Sequence, residues 1–112
     1  MSEPAGPASI LQQLKDHRAA VAALPREGYV MMWTAHLLCV RFDTENEKAY
    51  ACGVTEATVF SKEQLERMVN ENAEPQVFNG RNEKAVVVTR AVAIDSVLAS
   101  LDKTIANLER PH

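Results

Sequence analysis

The chain has 112 residues and a formal net charge of −3, with 46% apolar and 5% aromatic residues. That length suits one packed core, and that apolar content excludes wholesale disorder. Scarce rings and a negative balance argue against direct contact with nucleic acid, which calls for basic patches or stacking platforms. No apolar run approaches the roughly 20 residues of a membrane span. Met1-Ser2-Glu3-Pro4 has neither the basic nor the apolar stretch of a secretion signal. The expectation is a cytoplasmic protein with no membrane contact, in which Cys39 and Cys52 stay as thiols.

Charge is unevenly spread. From Asp43 to Glu74 there are eight acids against three bases, a net of −5, while the remainder nets +2. A polarised surface of this kind steers a basic partner.

In chain order, residues 1–8 read as a loose leader rich in Pro and Gly, and residues 9–112 as a single domain. Ser9 with Gln12 forms a capping box that predicts a helix to about Leu24, before Pro25. Its apolar stripe is Ile10, Leu14, Val21 and Leu24, with His17 in line. Tyr29–Thr34 has strand composition. Residues 34–36 are a turn or a bend.

Residues 37–54 hold the central hairpin, for which two registers compete. A four-residue loop, 44–47, sets Asp43 beside Lys48 and Cys39 beside Cys52. A five-residue loop, 44–48, sets Phe42 beside Tyr50, Val40 beside Cys52 and Leu38 beside Val54. Apolar cross-strand pairs at roughly 0.2–1 kcal/mol each favour the second over one exposed ion pair. Ser61 and Gln64, flanked by Phe60 and Leu65, give a capping box and hydrophobic staple for a short helix over about 62–72. Lys84–Thr89, with three successive valines, predicts a strand buried on both faces. The last helix starts between 90 and 95, with Thr89 or Asp95 as cap, and carries Ile94, Leu98, Leu101, Ile105 and Leu108. The expected fold is α+β: a small, mostly antiparallel sheet around the hairpin at about 37–54, packed by an N-terminal and a C-terminal amphipathic helix plus the short helix.

No catalytic, cofactor-binding or metal site is predicted. His36 with Cys39 and Cys52 lacks a fourth zinc ligand, and His36 falls on the opposite strand face from Cys39. Cys39 with His36 or His17 lacks an orienting third group. Glu63 with Glu66, and Glu71 with Glu74, lie on exposed faces without a pocket to separate their pKa values. The favoured reading is a non-enzymatic protein-protein interaction protein, a small inhibitor or regulator that takes a protein partner, itself basic or nucleic-acid-binding. Contact is expected through the acidic residues Asp43, Glu45, Glu47, Glu63, Glu66 and Glu71, with Trp33 and Met32 adding apolar surface. The alternative is a homodimer or larger structural assembly sealed by Leu14, His17, Val21, Leu98, Leu101 and Ile105. A thiol-dependent enzyme or redox sensor at Cys39 and Cys52 comes third. In size, acidity and layout the chain looks like small accessory proteins of bacteria and their phages, and a phage-encoded inhibitor of a host defence enzyme would fit. No particular residues carry that likeness.

Overall fold

The computed structural model describes residues 7–110. The elements run α1 (Pro7–Ala22), β1 (Tyr29–Trp33), β2 (Leu38–Asp43), β3 (Lys48–Cys52), α2 (Lys62–Asn70), β4 (Val86–Thr89) and α3 (Arg90–Glu109). The strands form one antiparallel sheet in the order β3-β2-β1-β4. This is the expected α+β architecture, with a helix at each end and a short third helix. No helix is long and apolar enough to cross a membrane, among the described residues.

The sheet separates two apolar clusters, because successive strand side chains point to opposite faces. On one face Val30, Met32, Cys39 and Val54 pack with Val21 of α1 and Ala93 and Ile94 of α3. On the other, Met31, Trp33, Val40 and Ala85 pack with Phe42, Phe60 and Val77. Central β1 is therefore apolar at every position, and Val30 to Trp33 are all buried. The valine run at 86–88 is the contrary case. It forms an edge strand, with Val86 and Val87 exposed, so the expectation of burial on both faces is overturned. An unbroken apolar run marks a strand, but only neighbours on both sides make it central.

The α1 helix begins by Pro7, a residue suited to a first turn. Most of the proposed leader, residues 1–6, lies outside the described residues. Ser9 sits inside the helix and does not cap it, and Gln12 donates to Asp16 at 2.9 Å. The inward stripe passes through Leu11, Leu14, Arg18 and Val21, leaving Ile10 and His17 exposed. It is turned from the predicted line, and Arg18 on it pairs through its guanidinium with Asp102 of α3. Lys15–Glu109 at 3.9 Å, and Arg26–Asp95 at 2.7 Å just past the end of α1, reflect the antiparallel run of the two helices. Thr89 caps α3, its hydroxyl accepting from Val92 N–H at 3.2 Å.

The central hairpin takes the four-residue loop. Cys39 lies opposite Cys52, Arg41 opposite Tyr50 and Asp43 opposite Lys48. The favoured pairing of Phe42 with Tyr50 is thus corrected by one residue: Phe42 faces Ala49. Turn chemistry decided the register. The Asp43 carboxylate accepts from Glu45 N–H, Asn46 N–H, Asn46 Nδ2 and the Tyr50 hydroxyl, while Glu47 takes a left-handed φ of 52°. The β1–β2 connection repeats this form, with residues 34–37 between paired Trp33 and Leu38 and Leu37 at φ 55°.

Between β1 and β2 the sheet splays, and residues 58–60 fill the gap. Thr58 N–H donates to Val40 O, and Tyr29 and Phe60 exchange both backbone bonds, at 2.9 and 2.7 Å. This wedge delivers the chain to Ser61, whose full capping box starts α2 over the second cluster.

Candidate functional site

The acidic residues form two exposed groups. Glu45 and Glu47 are exposed at the hairpin tip, and Glu63, Glu66 and Glu71 are exposed on and just after α2. The segment 74–77 joins them. Pro75, Gln76 and Val77 line a hollow with Glu47 and Lys48, while Glu74 and Pro75 also line the cleft beside α2. Asp43 stands apart. Its hydrogen bonds with Asn46 and then Tyr50 hold its carboxyl below the usual 3.8, and all of them are spent shaping the turn. Asp43 is thus a turn former as well as an expected contact residue.

The distribution of ion pairs sharpens the charge contrast. Among the described residues the pairs are Lys15–Glu109, Arg18–Asp102, Arg26–Asp95 and His36–Glu83. All but the last staple the α1–α3 face. Glu45, Glu47, Glu63, Glu66 and Glu71 take part in none. Their field is left for solvent or for a partner.

Trp33 and Met32, expected to add apolar contact, are core residues at 5% and 1% exposure, and that expectation is corrected. Consecutive positions on β1 send them to opposite faces, and both faces are covered. The Trp33 indole N–H donates to Glu83 O at 2.9 Å, inside a tight loop ordered by Asn79, whose side-chain oxygen accepts from Arg81 and Glu83 N–H. His36 Nε2 lies 3.1 Å from Glu83 Oε1, well away from any role with sulfur.

Cys39 and Cys52 are free thiols directly opposite one another, on the face covered by α1 and α3. Burial, and then the neighbouring Cys52, push the Cys39 thiol up to about 11. Burial and Glu56 also raise Cys52. Both sulfurs are therefore protonated at neutral pH, the opposite of what a nucleophilic cysteine needs. Among the described residues no group of three His, Cys, Asp or Glu is placed to hold a metal ion.

The stripe residues foreseen as a dimer seam are used within the chain. Val21 is buried, Leu98 and Leu101 pack against the same cluster, Ile105 is buried and Leu14 is half-buried. His17 points outside the stripe. A seam made from these residues would require α1 and α3 to part.

One feature escaped sequence reasoning. A cleft of about 240 Å³ separates α2 from the sheet, walled by Met31, Phe60, Leu65, Met68, Pro75 and Val87. The signal was present in the composition of α2, whose few apolar residues include none that is buried, so the helix lies loosely over its cluster. Comparisons with protein-family models, curated proteins and solved structures find no match to the chain.

Proposed function

We propose that the chain is a non-enzymatic protein-binding module, a small inhibitor or regulator that engages a basic protein partner through its acidic side. The carrying observation is the division of charge. On the α1–α3 face Glu109, Asp102 and Asp95 are paired with Lys15, Arg18 and Arg26, whereas Glu45, Glu47, Glu63, Glu66 and Glu71 have no ion-pair partner among the described residues. An unpaired acidic side of this kind raises the encounter rate with a basic surface and weakens as salt rises. A groove that normally takes nucleic acid is one such surface, which is how an inhibitor of a defence enzyme would act.

The test is affinity capture from the native host at low salt, then titration of each captured protein against wild type and a Glu63→Lys, Glu66→Lys, Glu71→Lys variant. The expected result is a basic partner whose affinity falls with salt and with charge reversal. Unchanged affinity in the variant would sink the proposal.

A further inference from the structure

The cleft beside α2 opens on the free edge of β4. Arg90 N–H donates to Gly28 O at 2.9 Å, so the alternation of an antiparallel ladder places Val88 and Val86 in the hydrogen-bonded pairs with Val30 and Met32. Val87 and Thr89 then turn their backbone groups away from β1. The same parity holds one step earlier, where Ala85 N–H donates outward to Val77 O at 2.9 Å and Phe78 bridges Lys84. Extending that outer ladder by two residues would set Pro75 against Val87. Proline has no N–H to offer, so the pairing stops there. Among the described residues Val87 has no backbone partner on this side. Natural sheets protect such edges with charge or proline, yet here Val86 and Val87 are 47% and 40% exposed.

We infer that an extended segment of a protein partner adds to the sheet at Val87–Thr89 and sets an apolar side chain in the cleft beside α2. The mode is strand addition, with backbone bonds giving affinity and the cleft giving specificity. Strand geometry makes the segment apolar at alternate positions. In the cleft Glu74 is offset by Lys84, so a Lys or Arg flank is drawn instead by Glu66 on α2 and Glu71 just after it, which stand unpaired beside the cleft. The charge of the segment rests on the acidic-side reading; its strand geometry does not. A second copy of this chain fits worse. Antiparallel pairing of two β4 edges requires a two-fold axis perpendicular to the sheet, which places both α2 helices on the same face, acid beside acid.

The test selects a displayed library of random short peptides against the full chain, then follows the most enriched peptide. Selected peptides are expected to alternate apolar residues and carry Lys or Arg. Binding should protect the Val87 amide from hydrogen exchange, and Val87→Pro should weaken it roughly tenfold, the worth of the one backbone donor that proline lacks. Met68→Trp, which fills the cleft and leaves the backbone groups of β4 unaltered, should weaken it as well, and carries the test if Val87→Pro does not fold. Selection without alternation, or no protection at Val87, overturns the inference. So does concentration-dependent protection of Val87 without peptide, which would assign the edge to a second copy. Loss of binding on Glu66→Lys and Glu71→Lys with Val87→Pro unaffected overturns strand addition and leaves the acidic side standing. The reverse pattern supports strand addition and removes the acidic reading.

Discussion

Gly28 joins α1 to the sheet at a φ of +99°, where an added Cβ would meet Val59 Cγ1 at 2.6 Å and Phe60 O at 3.2 Å. Both the backbone angle and the wedge of residues 58–60 exclude a side chain. Gly28→Ala is expected to cost about 1–3 kcal/mol, seen as a lower urea midpoint at unchanged slope. Glu47 presents the opposite opportunity. It is exposed and left-handed at φ 52°, and the left-handed penalty of roughly 1–2 kcal/mol exceeds the entropic cost of glycine of roughly 0.5–1. Glu47→Gly should raise the melting temperature, while Leu37→Gly in the sister turn should lower it, because Leu37 also packs against the buried cluster. At this scale the sequence misled at Ser9, which does not cap α1, and at the hairpin register. Apolar pairing favours Phe42 beside Tyr50, but a single Asp43 carboxylate with four hydrogen bonds outweighs it. Turn-forming acids deserve weight in register arguments equal to that of large apolar neighbours.

Among the elements, α2 is the most plainly written and the least firmly held. Its capping box is complete, with Ser61 N–H donating to Gln64 Oε1 at 2.8 Å and Gln64 N–H to Ser61 Oγ at 3.1 Å, yet it buries no residue. Its capping bonds, with only the half-buried Leu65 and Met68 packing against the sheet, keep it formed. Ser61→Ala should therefore speed hydrogen exchange of the α2 amides by about fivefold or more, the worth of a cap of ~1 kcal/mol, while the global melting temperature moves little. Helix existence and the hairpin were legible because capping residues and apolar spacing act over a few neighbours. Which strand lies at the edge was not legible. The runs Tyr29–Trp33 and Val86–Thr89 are both apolar, and only the topology decides that β1 has two neighbours and β4 one. The candidate site inherits this division: its exposed glutamates could be read along the chain, but its cleft depends on where Pro75 falls against Val87.

For the whole molecule, stability should narrow from both ends of the pH scale. Arg18 and Arg26 hold Asp102 and Asp95 below the usual 3.8, and His36 holds Glu83 below its usual 4.5. In acid the unfolded chain binds more protons than the folded one, so stability present at neutral pH is lost as pH falls from about 4. These carboxylates lie at the surface, so the loss should be shallow and should weaken with salt. At the alkaline end the sign of the proton imbalance reverses. Between 9.0 and about 11 the unfolded Cys39 thiol has ionised while the folded one has not, so the folded chain holds the extra proton and stability falls as pH rises. Cys39→Ala should flatten that alkaline limb in urea titrations. In the folded protein iodoacetamide should label half-buried Cys52 before fully buried Cys39.

The antiparallel α1–α3 pair brings Pro7 and Arg110 to one end of a molecule 55 Å long and 26–27 Å across. Tension applied between those two points peels the helices apart from their tips inward. Lys15–Glu109 yields first, Arg18–Asp102 next and Arg26–Asp95 last, each loaded singly. The strands feel no force until both helices are gone. In an optical trap this geometry gives a soft first extension followed by a separate, stiffer event, so the protein has a mechanical fuse in front of its sheet.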